Sequence, residues 1–515
     1  MGLMLQFEVH HDGAPAKDID LSGAYLFGQD GIPMRAEISA QDGLILCEKR
    51  PGGASGLALL WDAGQAGRLL LPTCRLPDRD KPYNLSLELA RAQTMRIAQK
   101  REDWGLFDYA DAEALNAEYD VVRGKLIAAL KARGPDASAL ADDALLAGLA
   151  LGERMSLYHA DIFINRRKAA GGGAMRMAFG CTADLSCAAP ACQERLRETF
   201  DFLSIPMPWK QIEPKERTYE YDRIDAWTAW AARNRKAVHA GPLLSFHPTH
   251  LPDWLYLWEN DYDALREMVY EHIQRTVKRY EKSVHYWKVV CGIHASNDFN
   301  LTFEQLMELT RMTCQLVKKA SPRSMAIIEM VMPWSEYYAR NQRSIPLLLY
   351  ADMAVQSGVK FDAFGLQFCT GAPVDGHYLR DLLQISSMLD EFVVFGKPLH
   401  ITACQAPSDV TPDATDAWSG QADVAKAGHW HLPWTQRLQA EWLQAFYRIG
   451  MSKPFVESIC WRDLSDSLSH YIPHGGLLDG NNEPKLAYKE LRNFKASLLS
   501  DRLVVMNQQR RGQST

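Results

Sequence analysis

The chain has 515 residues, which is too many for one ordinary domain and enough for a large domain with an accessory module. Hydrophobic residues make up 47% of it and charged residues 23%, which is typical of a globular protein. The net charge of −6 argues against nucleic acid or an anionic membrane as the main partner. Because no run of about 18 apolar residues occurs, the sequence predicts no membrane-spanning helix.

The N-terminal segment and the cysteines bear on the compartment. Residues 1–13 have neither a basic region nor a long apolar run, so we expect no signal peptide. The chain contains ten cysteines, which we expect to be reduced thiols in the absence of a secretion signal. The sequence therefore predicts a cytoplasmic protein.

The first third of the chain divides into a strand-rich part and a helical part. Short apolar runs separated by Gly and Asp-Gly turns predict a small β-sandwich over residues 1–88. Helical periodicity follows, with Gly134-Pro135 as a stop between two of the helices. The predicted helices cover residues 85–104, 112–133 and 138–168. Residues 89–173 are therefore predicted to form a helical connector that ends in the glycine-rich linker 169–173.

Beyond residue 173 the pattern changes to alternating strands and helices. The candidate strands are residues 176–182, 200–206, 241–247, 286–292, 325–331, 361–368, 399–405 and 455–461. Eight apolar strands separated by amphipathic helices predict a (β/α)8 TIM barrel over residues 174–498, with its active site at the C-terminal ends of the strands. The predicted fold class is thus α/β, a TIM barrel preceded by a β-sandwich with a helical connector. Residues 499–515 are polar and are predicted to be a disordered tail.

Several barrel segments, in order along the chain, resemble motifs of one known family. Phe179 to Ala183 resembles an opening F-G-x-A strand, and residues 287–292, WKVVCG, fall on the motif W-D-V-V-N-E. Residues 399–405 fall on I-T-E-x-D, and residues 475–491, GGLLDGNNEPKLAYKEL, resemble the family's closing L-L-F-D-x-N-Y-x-P-K-P-A-Y-x-x-L. The family is that of the family 10 glycoside hydrolases, the xylanase type. The resemblance covers nearly the whole barrel and none of the first 170 residues.

The resemblance implies a carbohydrate ligand, but two departures bear on catalysis. In the family, a glutamate ending the fourth strand is the general acid/base and a glutamate ending the seventh is the nucleophile. These positions hold Gly292 and Ala403 here, and neither side chain can donate a proton or form a glycosyl ester. The polar sugar-binding positions of the second and sixth strands are also changed. Their present occupants are Ser204, Ile205, Pro208 and Cys369.

Carboxylates near other strand ends are candidates for a relocated acid/base pair. Glu329 ends the fifth strand, Asp298 follows the fourth and Asp463 follows the eighth. A pair about 6.5–9.5 Å apart would suit an inverting mechanism. The alternative is that these acids cap helices or pair with neighbouring cations such as Arg462.

Substrate-binding candidates come from retained polar residues and from aromatic residues near strand ends. They are Trp209, His247, Gln367, Trp461 and Asp466. The long loop 406–433, which contains Asp, Gly, His and Trp, is predicted to form a wall of the cleft.

Five cysteines near strand ends could bind a metal or act as nucleophiles, but they occur without a CxxC or HExxH spacing. Core packing is the favoured interpretation, and the sequence predicts neither a metal nor a cofactor. These cysteines are Cys181, Cys291, Cys369, Cys404 and Cys460.

Three functions remain open from the sequence. The favoured one is a carbohydrate-binding pseudoenzyme for β-linked oligosaccharides that lacks the retaining glutamate pair. The second is a divergent glycoside hydrolase with relocated carboxylates. The third is a non-catalytic scaffold or assembly protein, in which the N-terminal module could supply an interface between copies of the chain.

Overall fold

A computed structural model describes residues 3–50, 52–109, 112–172, 175, 178–187 and 189–499. Two β-sheets come first in the chain, followed by helices and a closed barrel. Among the described residues, no helix is both long enough and apolar enough to cross a membrane. The predicted polar tail lies outside the described residues from residue 500 onward.

The N-terminal strands form two sheets, which confirms the predicted sandwich-like module. The strands are β1 Leu3–Glu8, β2 His10–His11, β3 Ala14–Pro15, β4 Tyr25–Phe27, β5 Pro33–Met34, β6 Ala36–Gln41, β7 Leu44–Lys49, β8 Gly56–Asp62, β9 Gly67–Pro72 and β10 Tyr83–Asn84. One sheet has the order β10-β1-β7-β6, and β9, β8, β4 and β5 lie side by side in the other. Leu5 and Phe7 alternate along β1 and are both fully buried, as expected for a strand with one face on a core.

Three long helices follow the sandwich. They are α1 Leu85–Asp103, α2 Glu113–Lys131 and α3 Gly134–Ala170. The Asn84 side chain caps α1 by accepting a hydrogen bond from the Leu87 N–H at 3.1 Å. Pro135 lies in the first turn of α3, where its missing N–H removes no helical hydrogen bond. The predicted stop at Gly134-Pro135 is therefore a helix boundary in the structure.

Eight parallel strands close into a barrel in chain order, which confirms the predicted fold. They are β11 Ala178–Thr182, β12 Phe202–Ile205, β13 Ala237–Ala240, β14 Tyr286–Cys291, β15 Met325–Met330, β16 Ala363–Cys369, β17 Leu399–Gln405 and β19 Val456–Trp461. The helices of this part are α4 Pro190–Thr199, α5 Trp209–Ile212, α6 Asp222–Arg233, α7 Tyr262–Tyr280, α8 Phe303–Ala320, α9 Tyr337–Arg340, α10 Leu347–Gln356, α11 Leu382–Asp390, α12 Gln436–Ser452 and α13 Leu486–Leu498. Short 3-10 helices occur at Asp253–Trp258, Glu391–Phe395 and Val424–Ala427, among other places.

The third barrel strand lies elsewhere than the sequence predicts. The sequence predicts a strand at residues 241–247, whereas β13 is Ala237–Ala240 and ends just before Gly241-Pro242. Pro242 has no N–H to donate, and Gly241 has a φ of 127°, so the regular ladder stops there. The apolar residues that suggested a strand instead run beside β14, where the Leu243 N–H donates to the Lys288 carbonyl at 2.9 Å. Their hydrophobicity reflects burial rather than strand structure.

The sandwich and the barrel share a sheet, and a buried arginine of the barrel also bonds to the sandwich. The two-residue strand β18 His429–Trp430, from the loop after β17, pairs with β9 of the N-terminal sheet. Arg380 of the barrel donates to Glu336 at 2.7 Å and to the Tyr25 hydroxyl of the sandwich at 3.0 Å. These contacts join the N-terminal module to the loops at the C-terminal end of the barrel.

Candidate functional site

A cavity of about 860 Å³ lies at the C-terminal ends of the barrel strands. Its lining includes residues that follow the third, fourth, fifth and eighth strands, among them His247, Gly292, Val331 and Asp463. This is the face at which TIM-barrel enzymes carry their active sites, because the βα loops converge there. We refer to it below as the barrel cavity.

The barrel cavity brings together part of the predicted site. Glu329, His247, Gln367 and Asp463 all line it, as do Gly292 and Ala403, the residues that the motif resemblance aligns with the two glutamates. The remaining predicted site residues do not line it. They are Asp298, Trp209, Trp461 and Asp466.

The two predicted tryptophans lie in the protein interior. The Trp209 side chain stacks on His272, and its indole N–H donates to the Glu213 carboxylate at 2.9 Å. The Trp461 side chain is fully buried, and its indole N–H donates to the Gly475 carbonyl at 3.0 Å. Both indoles are occupied in packing, so neither presents a free face to the barrel cavity.

The two acidic residues outside the barrel cavity have partners of their own. Asp298 is exposed and accepts a hydrogen bond from the Tyr256 hydroxyl at 3.3 Å. Asp466 forms an ion pair with Lys485 and accepts a hydrogen bond from the Gly476 N–H at 2.6 Å. Asp466 therefore fixes the chain after β19, as the capping and pairing interpretation of such acids implies.

A chain of polar side chains crosses the floor of the barrel cavity. The Lys288 ammonium donates to the Ser204 hydroxyl at 3.0 Å and lies 3.9 Å from the Glu329 carboxylate. The Gln367 amide donates to Glu329 at 3.0 Å, and Arg462 donates to the Gln367 oxygen at 3.3 Å. Lys288 and Arg462 therefore lie on either side of Glu329, Lys288 directly and Arg462 through Gln367.

Glu329 is charged at neutral pH. Burial by itself would raise the pKa of this carboxyl, since only 1% of the residue is exposed. The Lys288 ammonium and the hydrogen bond from Gln367 outweigh burial and hold the pKa of Glu329 below its ordinary value. A carboxylate in this state can accept a proton or a hydrogen bond, but it does not hold a proton to donate to a leaving group.

Neutral imidazoles stand near the two cations. Burial lowers the pKa of His250 to about 4, and the neighbouring His247 and Arg462 act in the same direction. Burial also lowers the pKa of His247, although Asp298 opposes the shift. Both rings are therefore neutral near pH 7, and each can offer one donor and one acceptor.

The position after the fourth strand is shaped for glycine. Gly292 has a φ of 62°, in the left-handed region that residues with a side chain rarely adopt. A Cβ atom there would lie 3.0 Å from Cγ2 of Val331, which is closer than ordinary van der Waals contact. The backbone and the packing at this position both disfavour a larger side chain.

Small apolar side chains surround the position in the seventh strand. Ala403 is 3% exposed and packs with Cys369, Ala422 and Ile472. Trp418 and Tyr471 cover this cluster, and their ring centroids are 5.4 Å apart. The side chains of this cluster carry no carboxyl group.

Trp418 comes from the loop that the sequence predicts as a cleft wall, and it lines the barrel cavity together with Tyr471. Lys288 and Arg462 also line it, and sequence reasoning did not include them in the site. A signal was present for Lys288, because it is the charged residue in the otherwise apolar strand β14. A charge inside a barrel strand requires a polar partner, and in this structure the partners are Ser204 and Glu329.

The cysteines of the strand ends are packing residues in the structure. All five are buried, and burial raises the pKa of Cys369 and of Cys460 to about 12. At such pKa values the thiolate that nucleophilic or metal-binding chemistry requires is scarce. Within the described residues, no group of three or more His, Cys, Asp or Glu side chains is arranged to hold a metal ion.

Comparison with known proteins gives a family match over the barrel. The sequence model of glycosyl hydrolase family 10 matches residues 174–494, more than half of the chain. Among solved structures, native xylanase 10B from Thermotoga maritima is 19% identical, with 63% of this chain and 97% of that chain covered and a TM-score of 0.48. Xylanase 10B from Thermotoga petrophila RKU-1, in complex with xylobiose, is also 19% identical, with 65% and 98% covered and a TM-score of 0.48. Xylanase B from Clostridium stercorarium F9 is 15% identical, with 62% and 96% covered and a TM-score of 0.47.

Proposed function

The chain belongs to glycosyl hydrolase family 10, and we propose that it binds a β-linked oligosaccharide in the barrel cavity without cleaving it by the retaining mechanism. The observation that carries the proposal is the pair of residues at the ends of the fourth and seventh strands. Gly292 and Ala403 line the barrel cavity where the family resemblance calls for the acid/base and the nucleophile. Both positions lack an ionisable group.

The retaining mechanism needs two carboxyl groups about 5–5.5 Å apart, one to protonate the leaving oxygen and one to attack the sugar carbon. Glu329 is the carboxylate on the cavity floor, and it is ion-paired and charged. It therefore does not serve as the acid. The side chains hydrogen-bonded or ion-paired in series with it, from Ser204 to Arg462, include no second carboxylate. Loss of the covalent step removes most of the rate enhancement.

Sugar binding is supported by the composition of the cavity lining. Trp418 and Tyr471 supply partly exposed rings, and Gln367, His247 and His250 supply neutral donors and acceptors. Clefts with aromatic walls and a few polar groups hold sugars by stacking and hydrogen bonding. Ring contacts of about 0.5–1.5 kcal/mol each give about 1–4.5 kcal/mol over two or three subsites, and with the hydrogen bonds of the polar lining we expect dissociation constants in the millimolar range.

A second candidate function is hydrolysis by relocated carboxylates. The observation in its favour is that Glu329 and Asp463 line the same cavity from the fifth and eighth strands. In such an enzyme Glu329 would act as the base that activates water, and Asp463 would be the acid. Cleavage of an oligosaccharide that is abolished by Glu329→Gln and by Asp463→Asn would establish this function in place of the first.

The proposal also covers the cellular compartment of the protein and its association with further copies of itself. Ten thiols without a disulfide among the described residues support a reducing compartment such as the cytoplasm. The sandwich module, which lies outside the family match, is a candidate interface between copies of the chain. Sedimentation of the full chain would test that interface, and a monomer at all concentrations would exclude it.

Calorimetric titration with a panel of β-1,4-linked oligosaccharides tests the binding proposal. We expect Trp418→Ala to weaken binding about two- to tenfold, which corresponds to one lost ring contact. Trp258→Ala is the matched control, because Trp258 is half-buried and does not line the barrel cavity. If no sugar binds at millimolar concentration, or if both variants lose affinity equally, the proposal is wrong and the barrel is better described as a scaffold.

A further inference from the structure

Arg462 is held in place inside the barrel cavity by neutral groups. It follows β19 directly, and its backbone N–H donates to the Cys404 carbonyl at 3.1 Å. Its guanidinium lies over the Tyr471 ring at 3.9 Å and donates to Gln367 at 3.3 Å. The Cys369 thiol is a further polar contact of the side chain. These contacts fix the direction of the guanidinium without neutralising its charge.

No carboxylate oxygen of the described residues lies within 4 Å of the Arg462 guanidinium. Arg380 and Arg448, by contrast, are fully buried, and each is paired with a carboxylate, of Glu336 and Asp161 respectively. Arginine stays charged in proteins and carries five N–H donors in a planar fork. Arg462 therefore brings into the barrel cavity a guanidinium that has no ion-pair partner among the described residues, although Asp463 and Glu329 are near enough to favour its charged form.

Three carboxylates of the cavity lining have partners other than Arg462. Asp463 accepts a hydrogen bond from the Tyr471 N–H at 2.7 Å, and Asp375 pairs with Arg340 at 2.6 Å. Glu329 is shared between Gln367 and Lys288. The Arg462 guanidinium is therefore available to form an ion pair with an anionic group of a bound ligand.

We propose that the barrel cavity selects an oligosaccharide that carries a uronic acid, whose carboxylate binds the Arg462 guanidinium. This inference rests on the proposed function, since it specifies the class of sugar that the same cavity takes. Carboxylates match the arginine fork with two parallel hydrogen bonds, and an ionised partner strengthens each of them. The other cation of the floor, Lys288, already faces Glu329, so it does not compete for the ligand.

A singly charged ligand fits this site better than a doubly charged one. Asp463 and Asp375 lie in the same lining and would repel a phosphate dianion at close range. The neutral rings of His247 and His250 can donate to the sugar hydroxyls without adding charge. The chemistry required is therefore one carboxylate on an otherwise neutral sugar chain.

Calorimetry with matched sugars tests the inference on the full-length protein at low ionic strength. The probes are xylotriose, the same trisaccharide carrying one glucuronic acid, and a monosulfated xylotriose. We expect the glucuronosyl sugar to bind roughly tenfold more tightly than xylotriose, as expected for a charge-assisted pair. Arg462→Gln should remove this preference, so that the variant binds xylotriose and its glucuronosyl form with affinities within about threefold of each other.

Two further variants separate recognition from general electrostatics. Arg462→Lys keeps the charge without the fork, and we expect it to retain only part of the preference. Arg323→Gln removes the same charge at the exposed turn before β15, at the opposite end of the barrel, and should leave the preference intact. Thermal melting of each variant confirms that it is folded before it is titrated.

The results separate selection of a uronic acid from sugar binding in general. If xylotriose and its glucuronosyl form bind wild type equally, the uronic acid is not selected, although sugar binding stands. If the sulfated sugar binds as tightly as the uronate, the site recognises any anion and the assignment of a carboxylate is wrong. If none of the three binds at millimolar concentration, the proposed sugar binding itself fails.

Discussion

At the scale of single residues, the site depends on side chains whose roles are set by their neighbours. Glu329 was predictable as a cavity carboxylate from its place at a strand end, but its ionised state follows from Lys288, which the sequence does not place beside it. Trp461 was expected to face the ligand, yet it donates to Gly475 in the interior. The position of a residue along a strand reliably predicts how deep in the barrel it lies. It does not reliably predict the direction in which its side chain points.

Introducing glutamates at the two strand ends should not create a retaining xylanase. The double variant Gly292→Glu, Ala403→Glu places a side chain at a φ of 62° and against Val331. We expect the left-handed backbone to reduce the free energy of unfolding by about 1–2 kcal/mol, and the displaced carboxyl to be catalytically ineffective. Urea unfolding and release of nitrophenol from an aryl xyloside measure the two effects.

Gly292→Ala is the control for that experiment, because it adds the Cβ atom without the carboxyl. It should be destabilised to a similar extent. Turnover of the double variant at a rate ordinary for a xylanase would show that the two carboxylates are all that the site lacks, and that backbone strain at Gly292 is unimportant.

At the scale of elements, the loop after β17 is held over the barrel by hydrogen bonds to the loop after β19. Asp413 accepts from the His470 imidazole at 2.8 Å and from the His474 N–H at 2.9 Å. The sequence predicted this loop as a cleft wall from its length and composition. It could not predict the hydrogen bonds between the two loops, because these residues are more than fifty positions apart in the chain.

The error in placing the third strand has a different cause. Burial and strand structure give the same apolar pattern over a few residues, so the pattern alone did not distinguish them.

The interaction of Asp413 with His470, which holds this loop, should weaken as the pH rises. Burial would lower the pKa of His470, but the Leu468 carbonyl, Asp466 and Asp413 together raise it above its ordinary value. A raised pKa in the folded state stabilises the protein fully below the unfolded-state pKa of about 6.5, and this contribution is lost as the pH rises through the folded pKa. The stability advantage of wild type over His470→Gln should therefore be largest near pH 5–6.

We expect that advantage to be about 1.5–3 kcal/mol, as for a hydrogen bond to a charged group, and to shrink toward pH 9. Chemical unfolding of both proteins across this range measures it. His429→Gln is a control, since burial lowers the pKa of this residue of the same loop, so its contribution to stability should not fall as the pH rises. An advantage that is constant from pH 5 to pH 9 would mean that His470 does not titrate against Asp413.

At the scale of the whole molecule, the N-terminal sandwich and the barrel are joined in a way that the sequence did not reveal. The glycine-rich segment before the barrel suggested a linker between separate units. In the structure, β18 of a barrel loop extends the N-terminal sheet, and Arg380 connects Glu336 to Tyr25. Cross-strand pairing between distant segments leaves no local pattern, so domain joining of this kind is not predictable from periodicity.

The contacts of Arg380 between the sandwich and the barrel lead us to expect that both parts unfold cooperatively. Arg380→Gln leaves the Glu336 carboxylate buried without its cation, which should cost about 3–5 kcal/mol of unfolding free energy. Because the same side chain holds the sandwich, differential scanning calorimetry should show one transition in wild type and two in the variant. Arg437→Gln, which breaks an exposed ion pair on α12, is the control and should leave the transition unchanged. Two transitions already in wild type would show that the sandwich and the barrel unfold independently.

Nuclear magnetic resonance of an oligosaccharide mixed with the full-length protein follows binding and cleavage in one sample. Saturation transferred from the protein to the sugar protons reports binding, and new reducing-end anomeric signals over a day report cleavage. For xylotetraose and its glucuronosyl form at millimolar concentration, we predict clear saturation transfer and no new anomeric signals, because the cavity has aromatic and polar binding groups while Gly292 and Ala403 supply no acid or nucleophile. Rapid appearance of β-configured products, the mark of a retaining hydrolase, would contradict this description of the site.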